Sequence, residues 1–183
     1  MFKFNNNKIN SVLKRAASFF EKNKKYKTRL TLNKWGEINI TYNEISSTSK
    51  KAKVILSKIN RCNSEKFLYN KTTHRPWEKE FTKAKQKGFD EVLFINENNE
   101  LLEGAITNLI IEKNKKLFTP PITLAILNGC YRQFFLENNK CEEKVLTVDD
   151  LTSADKIFLC NSIRKEITVE RIFNWDEELK YHN

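Results

Sequence analysis

Two short runs, "TRLTLN" and "EINITYN" (28–33 and 37–43), alternate apolar and polar side chains. A period of two predicts strands, and "KWGE" between them predicts a hairpin. Before it, Ile9, Val12, Leu13, Ala16, Phe19 and Phe20 recur at helical spacing, which predicts a core-facing helix over 8–23. "NEISSTSKKAK" (43–53) is polar and aperiodic, and reads as a linker. "VILSKI" then predicts a strand. "RPWEKEFTKAKQKG" predicts a helix with Pro76 near its first turn and Gly88 past its end. "EVLFIN", "LLEG", "NLIIEK" and "KLFTPP" follow as strands joined by short turns. Asn128-Gly129 marks a turn into a helix, Thr147 caps a short helix, and "KIFLCNS" and "ITVERIF" are two more strands. Strands dominate the middle and helices flank them, so the expected class is α+β (mixed α/β).

Composition narrows the picture in a few places. The chain has 183 residues and a formal charge of +10, enough for one domain or two small ones. The basic residues are spread along the whole chain, and the densest run, "KNKKYKTR" (22–29), reads as a solvated helix end. No nucleic-acid partner is expected from such a spread. Cys62, Cys130, Cys141 and Cys160 form no CxxC pair and no metal-like spacing with His74 or His182, so no metal is expected. Reduced thiols and the lack of a spanning apolar run lead to the expectation of a cytoplasmic protein without a membrane partner.

Three features suggest chemistry. Glu103 stands in the apolar context "LLEG", and a buried carboxylate needs a cation or strong donors to stay charged. The turn "LNGCY" opens a helix, where free N–H groups bind phosphate and Gly129 would let a ligand approach. Lys71 follows the apolar "FLY", and a lysine beside apolar surface can act as a nucleophile. Singly, each is ordinary. Together, an amine for a Schiff base, a carboxylate for a protonated ring nitrogen and a helix start for a phosphate describe pyridoxal 5'-phosphate. There is no P-loop, GxGxxG, HExxH or nucleophile-elbow motif.

From "KTTHR" through "FDEVLFINENNELLEGAITNLIIEKNKKLFTPPITLAILNGCYRQFF" to "DLTSADKIFLCNSIRKEI", the chain resembles the fold-type IV (class IV aminotransferase-like) pyridoxal-phosphate enzymes. "YKTRLTLNKWGEINI" resembles the hairpin of that family's small domain. The resemblance implies a two-domain fold like that of D-amino-acid aminotransferase. Residues 1–45 would be a remnant of the small N-terminal domain, 46–53 a linker, and 54–183 the larger cofactor-binding domain, a mixed sheet or barrel with flanking helices. It implies Lys71 as the Schiff-base lysine, Glu103 at the ring nitrogen with Asn108 in the same segment, and Leu127 beside the ring. Gly129, Cys130, Tyr131 and Ser162 would surround the phosphate. Arg132 matches a helix arginine of structural role, and His74 is given no role.

Within the family, "KTTHR" and the "TPP…LNG…R" stretch are most similar to aminodeoxychorismate lyase. That implies conversion of 4-amino-4-deoxychorismate to 4-aminobenzoate and pyruvate, in folate synthesis. The alternatives are a branched-chain or D-amino-acid aminotransferase, or a non-catalytic degenerate or fragment copy. A homodimer, and possibly a fused or partner aminodeoxychorismate synthase, are implied as partners. The motifs join the family partway through its small domain, with nothing matched before residue 8 and no residue assignable as the arginine that grips the phosphate. The expectation is therefore an N-terminally incomplete small domain. Loss of such a charge-assisted contact would weaken cofactor binding by roughly 1.5–3 kcal/mol.

Overall fold

The computed structural model describes residues 5–45, 51–58, 69–139, 141–175 and 178–179. Most of the expected linker, together with Cys62 and His182, lies outside the described residues. The chain divides into two compact units, Met1–Ser49 and Lys50–Asn183.

The first unit holds helix α1 (Asn6–Ala17) and the antiparallel strands β1 (Lys25–Leu32) and β2 (Ile38–Ile45). The Asn5 side chain caps α1 by accepting from the Lys8 amide at 3.0 Å. The helix stops at Ala17 rather than at residue 23. Phe20 instead stacks on Tyr26, with ring centroids 4.5 Å apart, and meets Tyr42 edge-on. Packing the aromatic ring against the hairpin replaces the last helical turn. In the apolar stripe of α1, Ile9, Val12 and Ala16 are half-buried, Leu13 is exposed and none is buried, so it is not the core-facing helix that its spacing suggests.

The second unit is built on one curled, mixed sheet. In chain order come β3 (Ala52–Leu56), α2 (Glu78–Gln86), β4 (Glu91–Ile95), β5 (Leu101–Gly104), β6 (Asn108–Lys113) and β7 (Lys116–Thr119). After a 3₁₀ turn at Ile122–Leu124 follow α3 (Cys130–Asn139), β8 (Glu142–Glu143), α4 (Val148–Thr152), β9 (Lys156–Asn161), β10 (Lys165–Phe173) and β11 (Glu178–Leu179). The spatial order is β5-β4-β3-β10-β9-β6-β7-β8, with β11 on β10. β3 starts at Ala52, so the strand takes in the last residues of the expected linker.

Both faces of the central strands are covered, which is why they read as continuous apolar runs. Along β3 and β4, Val54, Leu56 and Leu93 pack into one core with Leu101, Leu109 and Ile111. The alternate residues Ile55, Val92 and Phe94 pack into a second with Leu102, Ala84 and Ile126. Gly88 follows the C-cap of α2, and its φ of +86° suits a residue without Cβ. Thr147 and Asp150 form a reciprocal capping box on α4, as the expected cap at Thr147 requires.

Candidate functional site

The site grows from the turn between β5 and β6. Glu103 is the third of the four buried residues of β5 and is 5% exposed. Its Oε2 accepts from Asn108 Nδ2 at 3.2 Å and from the Leu127 amide at 3.1 Å. Asn108 opens β6, is also 5% exposed, and donates a second time to the Leu127 carbonyl at 2.9 Å. A Cβ on Gly129 would overlap the Asn108 Oδ1. The lack of a side chain at Gly129 thus leaves room for Asn108. The bonds tie β5, β6 and the loop before α3 into one rigid group. A carboxylate pinned by two N–H donors cannot rotate away from whatever faces it.

α3 starts directly beyond this group. The amides of Cys130 and Tyr131 lie in its first turn and have no carbonyl of their own helix to bond, which makes them anion donors. Arg132, 1% exposed, fixes the start of the helix. It donates to Asn128 Oδ1 at 3.2 Å, to the Pro120 carbonyl at 2.7 Å and to Glu143 Oε1. Those bonds hold the loop and helix, so the geometry gives Arg132 a structural task. The Tyr131 hydroxyl donates to Glu166 Oε1 at 3.0 Å. Burial, and then that carboxylate, push the phenol up to about 12, so it stays a proton donor at neutral pH.

Ser162 is exposed in the turn between β9 and β10. Asn161 shapes that turn by accepting from the Ile163 and Arg164 amides at 3.1 and 2.9 Å. Its Nδ2 also donates to the Ile106 carbonyl at 3.3 Å, which links the Ser162 turn to the β5–β6 turn. Lys71 lies exposed on the segment before α2, where Thr72 Oγ1 accepts from the His74 amide at 3.2 Å. Of the eight residues expected at the site, Glu103, Asn108, Leu127 and Gly129 are in direct contact. Cys130 and Tyr131 continue from them, Ser162 sits on a linked turn, and Lys71 is on a separate segment.

Sequence reasoning missed Glu91. It read "EVLFIN" only as a strand, yet Glu91 is 2% exposed and accepts four hydrogen bonds from the β5–β6 turn and its own strand. Burial pushes its carboxyl up to about 7, against the pull of the Thr107 hydroxyl and the Val92, Ile106 and Ala105 amides. The one signal was a glutamate opening a run of four apolar residues, at a position where a strand is buried on both faces.

The donor set fits pyridoxal phosphate: a pinned buried carboxylate, a helix start for an anion and a hydroxyl-bearing turn beside it. Among the described residues no helix is long and apolar enough to cross a membrane.

Comparison with known proteins agrees. The chain is 33% identical over 95 residues to D-alanine aminotransferase of Bacillus licheniformis, covering 49% of this chain and 33% of that protein. It is 31% identical over 96 residues to aminodeoxychorismate lyase of Bacillus subtilis, covering 50% and 31%. The chain spans about a third of the length of the relatives it matches in sequence. The branched-chain aminotransferase structure from Thermoproteus uzoniensis superposes with a TM-score of 0.79 at 16% identity, covering 100% of this chain and 68% of that one. Amino-transferase class IV, a family of pyridoxal-phosphate enzymes acting on small molecules, matches residues 3–172. That match begins at residue 3, ahead of residue 8, where the motifs alone stopped, and takes in all of α1. With its fold, its pinned carboxylate and a match over nearly its whole length, the chain belongs to the class IV aminotransferase family.

Proposed function

We propose that this chain binds pyridoxal phosphate and supports proton removal at an amine-bearing carbon, with cleavage of 4-amino-4-deoxychorismate to 4-aminobenzoate and pyruvate as its reaction. The observation that carries the cofactor reading is the Glu103 carboxylate, buried and pinned by Asn108 and Leu127 beside the first turn of α3. The lyase reading is supported by the "KTTHR" and "TPP…LNG…R" motifs and by the Bacillus subtilis relative.

Glu103 would hold the ring nitrogen protonated, and Leu127 would pack beside the ring. The Cys130 and Tyr131 amides and the Ser162 hydroxyl would hold the phosphate. The Lys71 amine would anchor the cofactor and, once displaced by the substrate amine, take the proton from the substrate carbon. The bound cofactor supplies an electron sink for that carbon. Asn108 keeps Glu103 oriented while charge moves, so the site needs little reorganisation during reaction.

A second reading is amino transfer on the same residues, supported by the D-alanine aminotransferase relative and the branched-chain fold match. There Lys71 returns the proton to the cofactor side and turnover needs an added keto acid. A dimer, an aminodeoxychorismate synthase partner and a cytoplasmic location belong to the same proposal.

The test uses the full chain with added pyridoxal phosphate. A visible absorbance band that borohydride bleaches while fixing the cofactor on Lys71, absent in Lys71→Ala, is the expected result. Product assays then separate the two readings: 4-aminobenzoate without a keto acid for the lyase, keto-acid-dependent amine loss for transfer. A colourless wild type with no modified peptide would overturn the cofactor reading.

A further inference from the structure

We infer that Glu91 is a positioning residue that closes the β5–β6 turn and so sets Glu103 against Asn108. The inference rests on the reading of Glu103 as a cofactor ligand.

The turn Gly104–Thr107 is all that separates these two site residues in sequence, and three donors along it, the Ala105 amide (shared with the Val92 carbonyl), the Ile106 amide and the Thr107 hydroxyl, meet one carboxylate. Glu91 Oε1 accepts from the Val92 amide at 3.0 Å and from the Ala105 amide at 3.0 Å. Its Oε2 accepts from the Ile106 amide at 3.3 Å and from the Thr107 hydroxyl at 2.8 Å. The Gly104 amide donates to the Thr107 carbonyl at 2.8 Å, which closes the turn across its base. A Cβ on Gly104 would overlap Thr107 Oγ1 and stand 2.8 Å from the Glu91 carboxyl carbon, so the carboxyl fills the space inside the turn.

This clasp faces no cation among the groups that shift it; its donors are three backbone amides and one hydroxyl. Its reach extends to two parts of the site. On one side the closed turn brings Asn108 Nδ2 to Glu103 Oε2. On the other it holds the Ile106 carbonyl where Asn161 donates to it, next to the turn that carries Ser162. Glu91 would touch neither cofactor nor substrate, and would act through the residues it places.

Glutamine tests this because it keeps the shape and loses one acceptor. Whichever way its amide turns, one side presents N–H groups to N–H donors. Two measurements on the full chain decide the matter. The first is hydrogen exchange of the 105–107 amides without cofactor, in wild type and Glu91→Gln. Exchange at Ile106 is expected to accelerate about tenfold or more. The second is the pyridoxal phosphate dissociation constant by absorbance titration, expected to rise about tenfold or more in Glu91→Gln. Should that variant fold poorly, Thr107→Val removes one donor alone. It should weaken binding several-fold, while Thr107→Ser, which keeps the hydroxyl, restores it. Unchanged binding in a variant that only melts earlier would reduce Glu91 to a stability residue and overturn the inference. If wild type binds no pyridoxal phosphate, the cofactor reading fails; the exchange measurement still decides whether Glu91 holds the turn, and unchanged exchange overturns that as well.

Discussion

The two units bury their side chains in opposite ways. In the first, Phe20, past the end of the helix, meets Tyr26 and Tyr42 of the two-stranded hairpin, and no residue of α1 is buried. In the second, β3 to β5 lie between two apolar cores, β6 lies between the first of these and a third around Ile110, and four consecutive residues of β5 are buried. The difference teaches where a site can be built. A carboxylate on the hairpin, such as Glu44, stays exposed and pairs with Lys24 at 3.3 Å, an arrangement worth little in water. A carboxylate at the end of β5 or the start of β4 is out of water and must be met by directed donors, and those donors fix its orientation. Only the second environment yields a charge of defined position.

Core truncation should give the largest contrast. Phe94, fully buried and edge-on to Trp77, should cost about 3–5 kcal/mol when replaced by Ala. Phe20→Ala removes a half-buried ring and should cost about 1 kcal/mol. Urea melts that give equal losses would break the distinction between the units.

The pH dependence of the second unit comes next. The Glu91 carboxyl is raised from 4.5 to about 7 in the fold, mainly by burial. It holds its proton more tightly folded than unfolded. Its contribution is therefore fully present below about pH 4.5 and lost as pH rises through 7, on the order of 3 kcal/mol. Glu91→Gln does not titrate. The stability difference between wild type and this variant should shift toward the variant between about pH 4.5 and 8. A difference that stays flat across that range would place the carboxyl near its ordinary value.

The smallest effects lie at the helix caps, and here the units should look alike. Asn5→Ala in the first and Thr147→Ala in the second each remove one capping acceptor, at a cost of about 1 kcal/mol. Exchange of the first-turn amides of α1 and α4 would report each loss locally. A much larger loss at Thr147 would mean that α4 is braced by its capping box for the whole unit.

The sequence by itself determined the order and type of the main elements, though not the two-residue strands β8 and β11. The period of two placed β1 and β2, the apolar runs placed β3 to β6 and β9, Asn128-Gly129 placed the start of α3, and Thr147 its cap on α4. Those signals are local: each depends on neighbours within a turn or a strand. The family motifs also made Glu103 and the start of α3 legible as parts of one candidate site. The tertiary structure alone decided what holds them. Glu103, Asn108, Leu127 and Gly129 meet across 26 residues of chain, through bonds that no spacing rule specifies. Glu91 has the side chain of any surface glutamate, and became a buried acceptor only because β4 lies between β3 and β5 with the β5–β6 turn folded onto its end. Helix α1 shows the converse, a stripe with the right period and no deep core beneath it. Periodicity states which face is apolar; burial depends on what the rest of the chain brings to that face.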